Sequence, residues 1–277
     1  MQLSIRHDTR FAYDDPADYA LVQLRVRPVS GPAQTVERWE VELDGAHRHA
    51  AFTDAYGTRV ELIELSPEAR AVTIRVSGEV STHPQAGIMG PDAPLRNAVR
   101  DGTEEGGRLP LWHFRRATPL TRADEAIRSL ADTVSGLDGV ERLHALSRAV
   151  LGAVAYQTRV TGTNTTAAEA LAGGQGVCQD HAHLFVSAAR HIGVPSRYVS
   201  GYLLMDDRTD QDATHAWAEG WVEGLGWVGF DVSNGISPDA RYVKVAHGLD
   251  YADCAPTRGI TVGGTKEALE VSIQVQQ

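Results

Sequence analysis

The sequence predicts an α+β fold in which an N-terminal antiparallel β-sandwich precedes a core of helices packed on an antiparallel sheet. Residues 1–83 contain several short runs in which apolar and polar residues alternate, and Gly, Pro and Asp residues separate the runs. Residues 122–154 carry apolar residues at the three- and four-residue spacing of amphipathic helices. Three runs between residues 195 and 233 are rich in the aromatic and β-branched residues that favour strands.

The composition narrows the functional class. The chain has 277 residues, 42% hydrophobic and 22% charged, as expected of a globular protein with one large or two medium domains. The net charge of −10 argues against nucleic-acid and anionic-membrane partners. The N-terminus lacks the apolar core of a signal peptide, and no apolar run reaches transmembrane length. We therefore expect a cytoplasmic protein without a nucleic-acid or membrane partner.

The domain boundaries follow from where the strand pattern starts, stops and returns. The sandwich is predicted over 1–83, and residues 84–121, rich in Pro and Gly, are predicted to be a linker or irregular segment. The core is predicted over 122–255. Residues 256–277 are predicted to be a C-terminal strand segment that returns to the sandwich. The alternating residues of the first and last strands are Leu3, Ile5, His7, Thr9, Phe11 and Tyr13, and Leu269, Val271, Ile273 and Val275.

Four helices are expected in the core, and the last of them begins at a cysteine. The third helix opens on a capping-box pattern at Thr166 and Glu169 and ends at a glycine-rich turn. Gly193 and Pro195 are the stop signals of the fourth. The predicted spans are 122–135, 138–154, a short helix from 167 to 173, and 178–192.

Cys178 has the position of a reactive thiol. At a helix N-terminus it faces unpaired backbone N–H groups and the positive end of the helix dipole, and both favour the nucleophilic thiolate. The same N–H groups could hold a developing oxyanion. The alternative is a buried, inert cysteine that happens to start a helix.

His215 and Asp231 lie on two predicted strands, 214–223 and 226–233, that form a hairpin. A loop with an odd number of residues, centred on Glu223, would place the two side chains opposite each other, about 5 Å apart at Cβ. A two-residue loop would place them on opposite faces. A catalytic interpretation therefore requires an odd loop or a bulge.

These motifs resemble the transglutaminase-like superfamily. Its three signatures are similar to Gly176-Val177-Cys178, His215-Ala216-Trp217 and Gly226-Trp227-Val228-Gly229-Phe230-Asp231. Stretches at 165–171, 197–203 and 250–253 are similar to the bacterial two-domain branch. The resemblance implies a β-rich N-terminal domain and a papain-like transglutaminase core. It also implies a triad in which Cys178 is the nucleophile, His215 the general base and acid, and Asp231 the orienting group.

No metal or cofactor is expected. His181 and His183 are two residues apart on a predicted helix, whereas metal-binding helices usually space histidines by four. The acidic loop at 206–212 lacks the Gly and Glu of an EF-hand and is predicted to be solvated. No phosphate-binding or dinucleotide motif occurs in the sequence. Cys254 and His113 are predicted to be structural.

The predicted chemistry is thiol-dependent acyl transfer on the amide bonds of a peptide or protein substrate. With water as acceptor the protein is a cysteine protease or amidase, which we favour for a cytoplasmic chain without a calcium loop. With a lysine amine as acceptor it is a protein-glutamine transglutaminase. A non-catalytic binding or scaffold protein of the same fold is the third hypothesis.

Overall fold

The computed structural model describes residues 1–15, 17–66, 69–92, 109–263 and 267–277. It confirms the predicted α+β class, with a strand-rich N-terminal region and a helix-on-sheet core. The strands are β1 (Gln2–Tyr13), β2 (Ala17–Arg27), β3 (Gln34–Asp44), β4 (Ala46–Thr53), β5 (Arg59–Leu65), β6 (Ala71–Thr82), β7 (Ile88–Gly90), β8 (Ala155–Tyr156), β9 (Gln175–Gly176), β10 (Ser196–Leu203), β11 (Asp210–Gln211), β12 (His215–Val222), β13 (Gly226–Phe230), β14 (Tyr242–Gly248), β15 (Thr257–Gly263) and β16 (Glu267–Gln276). The α-helices are α1 (Glu125–Asp132), α2 (Gly139–Ala153), α3 (Ala167–Gly173), α4 (Cys178–His191) and α5 (Tyr251–Cys254), with a 3₁₀ turn at Leu111–Arg115.

The N-terminal region is a sandwich of two antiparallel sheets. One sheet has the strand order β11-β16-β1-β6-β3 and the other β15-β2-β5-β4. Alternate residues of β1 are buried, as the sequence pattern predicts, and they include the polar His7 and Thr9. The apolar core between the sheets includes Leu24, Ile63 and Ile74.

The C-terminal segment contributes one strand to each sheet of the sandwich. β16 pairs with β1, which places Val275 opposite Ile5. β15, which the sequence pattern did not reveal, pairs with β2 and leaves Ile260 and Val262 exposed. The sheets therefore draw on both ends of the chain, while the domain boundaries at 83, 121 and 255 stay a prediction.

The segment predicted as a linker contains two ordered pieces. β7 pairs with β13 and so forms an edge of the core sheet. The 3₁₀ turn at Leu111–Arg115 buries Phe114 against Trp227, with ring centroids 4.9 Å apart. Residues 93–108 of this segment lie outside the described residues.

The core is a five-stranded sheet, β14-β10-β12-β13-β7, with helix α4 packed on it. α1, α2 and α3 also pack against α4, so every residue from Asp180 to Arg190 is buried. The four predicted helices are present with slightly shorter bounds at most ends. α1 begins where the Asp124 carboxylate accepts a hydrogen bond from the Ile127 N–H. The packing of α1, α2 and α3 against α4 fixes the start of α4 relative to the sheet.

The hairpin of β12 and β13 meets the parity condition with a shifted centre. Its loop is Glu223, Gly224 and Leu225, and Trp221 pairs with Trp227. The loop is therefore odd, but it is centred on Gly224 and not on Glu223 as the sequence interpretation assumed. In this register Asp231 is diagonal to His215, on the same face. Gly224 has φ +82°, a conformation that favours glycine.

The sandwich and the core share an apolar interface. Val243 and Val245 of β14 pack with Ile5, Val80 and residues of β16 in one buried cluster. Within the described part of the chain, no helix has both the length and the apolar character to cross a membrane.

Candidate active site

Cys178 is the first residue of α4 and is partly exposed. A turn delivers it: Gly174 ends α3 with φ 64°, and β9 then forms a short parallel pair with β8. Gly176 has no room for a side chain, because an added Cβ would lie 2.8 Å from the Asp180 Cβ. The turn therefore favours glycine at 174 because of its positive φ, and glycine at 176 because no side chain fits there.

Asp180 caps the helix that carries the cysteine. Its Oδ2 accepts hydrogen bonds from the Val177 N–H at 2.8 Å and from the Thr161 hydroxyl at 2.6 Å. The carboxylate is buried in the first turn, where it also opposes the positive end of the helix dipole.

His215 and Asp231 form a buried pair. The His215 Nε2–H donates to Asp231 Oδ2 at 2.6 Å, which leaves Nδ1 as the ring nitrogen available to Cys178. Burial lowers the pKa of His215, but the Cys178 charge and hydrogen bonds with Asp231 and Cys178 outweigh it and raise the pKa to about 10. Cys178 also packs against a buried cluster that includes Ala216, the neighbour of His215. The three residues singled out in the sequence thus come together in space.

Asp231 is saturated with hydrogen bonds. Oδ1 accepts from the Ser233 hydroxyl at 2.8 Å and the Asn234 N–H at 3.2 Å. Oδ2 accepts from the Asn234 side chain and the Tyr242 hydroxyl, both at 2.7 Å, in addition to His215. Burial raises the pKa of Asp231, but these donors, His215 first, lower it to about 2. The carboxylate therefore stays charged at neutral pH.

Sequence reasoning missed three of these donors. Ser233 and Asn234 had a local signal, because Asp-x-Ser-Asn-Gly is typical of a turn whose side chains bind one another. Tyr242 had none, because it lies 11 residues after Asp231 on a strand that the sequence pattern did not predict.

Two aromatic rings enclose the His215 imidazole. Trp217 lies nearly parallel to it, with centroids 6.3 Å apart and 25° between the planes. Tyr242 lies 5.9 Å away and forms an edge contact with Trp217. Both rings are buried, so they restrict water around the pair between His215 and Asp231.

The other candidate residues have structural partners. The ring nitrogens of His181 lie 3.0 and 2.8 Å from backbone carbonyl oxygens. The Tyr251 N–H donates to His183, whose pKa is lowered to about 3 by burial and by Arg190. His113 lies 3.1 Å from the Tyr56 hydroxyl. Cys254 is buried and donates weakly to a backbone carbonyl at 3.6 Å.

The acidic loop is exposed at Asp206, Asp207, Asp210 and Asp212, as the predicted solvated loop requires. Its residues Asp210–Gln211 also form β11, a short edge strand that pairs with β16. Asp207 pairs with Arg208, and Asp206 with Arg241. Across the ranges that the structure describes, no group of three or more His, Cys, Asp or Glu side chains is arranged to hold a metal ion.

Several cavities formed by the described residues adjoin the core. An open one of about 720 Å³ adjoins the segment that leads to Cys178 and is lined by residues 160–165, Glu169, Gly173 and Gln175. A second, of about 320 Å³, lies between the sandwich and the core sheet, beside Tyr56, Lys244 and His247. Cys178, His215 and Asp231 do not line the second cavity.

Comparison with protein families agrees with the motifs. Residues 128–232 match the transglutaminase-like superfamily, and residues 3–81 match the bacterial transglutaminase-like N-terminal region. The resemblance seen in the sequence is thereby confirmed. The first match includes Cys178 and His215 and ends one residue after Asp231.

Individual proteins are similar over all or half of the chain. An uncharacterised protein of Mycobacterium leprae is 28% identical over 292 residues, covering 99% of this chain and 98% of its own. An uncharacterised protein of Mycobacterium tuberculosis is 36% identical over 147 residues, which is 49% of this chain and 47% of that protein. The crystal structure of a "putative cysteine protease" from Cytophaga hutchinsonii covers 100% of this chain and 98% of its own, with a TM-score of 0.73 and 18% identity. At that identity the likeness concerns the fold alone.

Proposed function

Because its residues 128–232 place this chain in the transglutaminase-like superfamily, we propose that it is a thiol-dependent hydrolase of peptide or protein amides. The observation that carries the proposal is the His215 ring, which is hydrogen-bonded to Asp231 at 2.6 Å and leaves Nδ1 for Cys178. A thiol, an imidazole and a carboxylate in this order are the elements of nucleophilic acyl transfer.

The proposed reaction has two halves. The Cys178 thiolate attacks the amide carbonyl, and the Cys178 N–H at the start of α4 donates to the oxyanion. His215, an imidazolium at neutral pH, gives its proton to the leaving amine, and a thioester forms. His215 then takes a proton from water, the resulting hydroxide attacks the thioester, and the acid product leaves as the thiolate returns.

Asp231 serves this cycle by orientation and charge. As the acceptor of the His215 Nε2–H, it directs Nδ1 towards Cys178 and stabilises the imidazolium. Because its own pKa is held near 2 by its donors, with burial opposing them, the proton stays on His215. We extend the proposal to the cytoplasm, a reducing compartment in which Cys178 and Cys254 remain free thiols.

Product mass tests the proposal. Peptides with glutamine and backbone amides are incubated with the full chain, with and without a primary amine. We expect cleavage, or loss of ammonia with gain of water, whether or not the amine is present. Incorporation of the amine would instead support a transglutaminase. No product, together with no iodoacetamide labelling of Cys178 in the folded protein, would support a non-catalytic scaffold.

The two cysteines give a matched pair of variants. Cys178→Ala is expected to lower the rate by at least about a thousandfold, because the nucleophile is lost. Cys254→Ala removes a buried thiol whose weak hydrogen bond goes to the Tyr198 carbonyl, and its rate should stay close to that of wild type. Equal activity of both variants would contradict a cysteine mechanism.

A further inference from the structure

We propose that the N-terminal sandwich is part of the catalytic apparatus, because it holds strand β14 so that Tyr242 fixes the Asp231 carboxylate against His215. Tyr242 is thus a positioning residue, and the sandwich acts through it. This inference rests on the proposed function, since it concerns the same thiol centre.

The contact between Tyr242 and the pair is direct and buried. Its hydroxyl donates to Asp231 Oδ2 at 2.7 Å, the same oxygen that accepts from His215 at 2.6 Å. Its ring also lies 5.9 Å from the imidazole and 5.5 Å from Trp217. The hydroxyl of this packed ring adds a donor from a separate strand to the donors that Ser233 and Asn234 supply from the turn next to Asp231.

Tyr242 opens β14, and the sandwich binds the backbone of this strand. The Gln34 side chain, at the start of β3, donates to the Lys244 carbonyl at 2.8 Å and accepts from the Lys244 N–H at 2.8 Å. The Thr82 hydroxyl, at the end of β6, donates to the Ala240 carbonyl. We call Gln34 and Thr82 the β14 clamp; both are buried, and they bind on either side of Tyr242.

Apolar packing reinforces the β14 clamp. Successive residues of a strand point to opposite faces, so the neighbours of Tyr242 point away from the site. Val243 and Val245 pack with Leu3, Ile5, Val80, Ile273 and Val275 of the sandwich. One short strand therefore carries sandwich contacts on one face and the Asp231 donor on the other.

The ionisable groups around this contact determine what loss of it would do. Asp231 and Asp239 face the Tyr242 hydroxyl, while Tyr156 lies near Cys178 and Asp231. Arg241 pairs with Asp239 at 2.7 Å, whereas Asp231 pairs with His215, so Asp231 is the carboxylate whose charge acts on the imidazolium. A displaced Asp231 stabilises the His215 imidazolium less, and the Cys178 thiolate then lacks a full cationic partner. Its alkylation should therefore require a higher pH.

The test follows the rate of iodoacetamide alkylation at Cys178 against pH, located by peptide mass. In Tyr242→Phe, which keeps the ring, the midpoint of the rate is expected to rise by about one pH unit. In Gln34→Ala it should rise in the same direction by about half as much. In the double variant of Gln34→Ala and Tyr242→Phe, the midpoint should equal that of Tyr242→Phe alone. The β14 clamp acts through the Tyr242 hydroxyl, which this variant already lacks.

Control variants separate positioning from general stability. Gln2→Ala is matched to Gln34→Ala, because Gln2 lies in the same sandwich and its side chain binds Glu79 on the surface, away from β14. Its midpoint should equal that of wild type. Thr82→Val removes the hydroxyl of the second clamp residue with little change in volume, and it keeps the test open if Gln34→Ala does not fold.

Two outcomes would overturn the inference: unchanged midpoints in Gln34→Ala and Thr82→Val, or clamp effects that add fully to that of Tyr242→Phe. Failure of the proposed function has a different signature. In that case wild-type Cys178 itself would alkylate with the midpoint of an ordinary thiol, about 8.5.

Discussion

At the residue scale, two buried histidines, His183 and His7, are neutral at neutral pH, and a third, His215, is protonated. His215 faces a thiolate and a carboxylate, which outweigh burial and raise its pKa to about 10. His183 has Arg190 nearby and a backbone N–H as donor, so burial and that cation lower its pKa to about 3. His7 lies between the hydroxyls of Tyr202 and Thr9, and burial lowers its pKa to about 4 against a smaller opposing effect of Asp8. The partners decide which histidine can carry a proton.

His7 makes the stability depend on pH below neutrality. Its folded-state pKa of about 4 lies below its ordinary value of 6.5, so the unfolded chain binds the proton first as the pH falls. Its contribution is complete above pH 6.5 and is lost as the pH falls towards 4. Between pH 7 and pH 5, His7→Gln should lose about 2 kcal/mol less of its unfolding free energy than wild type does.

Urea unfolding at the two pH values measures this difference. His49→Gln is the matched control, because its side chain is 59% exposed and its substitution should leave the pH dependence of wild type. A His7→Gln protein with the pH dependence of wild type would show that folding does not lower the pKa of His7.

At the scale of the element, the residue at which α4 begins determines the reactivity of Cys178. The dipole and free N–H groups act only within the first turn, so a shift of one residue would remove the thiol from them. Gly176 and Asp180 fix this position, because the cap oxygen occupies the space where a Cβ at 176 would lie. The sequence indicated the glycine-rich turn, but the contact with Asp180 required the folded helix.

Substitution of Gly176 tests this packing. Gly176→Ala would place a Cβ 2.8 Å from the Asp180 Cβ and carboxylate. We expect an unfolding free energy lower by about 1–3 kcal/mol and slower alkylation of Cys178, because the cap must move. Gly173→Ala is the control, because Gly173 is the last residue of α3 and an added Cβ would meet, beyond its own helix, no atom of the described residues within 4 Å. The thermal unfolding of this variant should remain near that of wild type. Equal effects at 173 and 176 would argue against a steric cause.

The hairpin shows what strand parity can and cannot decide. A loop of odd length keeps His215 and Asp231 on one face, and residues 223–225 satisfy this condition. An odd loop length does not decide whether His215 and Asp231 lie directly opposite or diagonally. The loop centre at Gly224 makes this pair diagonal. The 2.6 Å bond forms because the turn at residues 233–235 and Tyr242 direct the carboxylate to the ring.

At the scale of the whole molecule, the two ends of the chain close one sandwich that also supports the core. β16 lies between β1 and β11 in the sheet, and its Ile273 and Val275 contact β14 residues of the core through a shared apolar cluster. The C-terminal strand therefore completes the sheet and builds the face on which β14 rests.

A charge in this cluster should destabilise the whole protein. Val275 is 1% exposed, and Val275→Asp would bury a carboxylate without a partner, so we expect a loss of at least about 3 kcal/mol of unfolding free energy. Gln276→Asp, on the exposed face of the same strand and opposite the uncharged Ser4, should change it by less than about 0.5 kcal/mol. Thermal unfolding of both variants compares them, and equal melting temperatures would contradict the packing of β16 against the core.

The sequence by itself determined the α+β class, the four helices, the alternation of β1 and β16, and the family signatures around Cys178, His215 and Asp231, because periodicity and turn residues act over short distances. The tertiary structure decided the rest. β15 has little apolar alternation, and β7 is too short to show any, so neither could be recognised before its partner strand was known. Two sets of hydrogen bonds depend on segments that are distant in the chain: that of Tyr242 to Asp231, and those of Gln34 to the Lys244 backbone. Such pairs leave no local pattern, because their free energy comes from contacts that exist only after the sheet has formed.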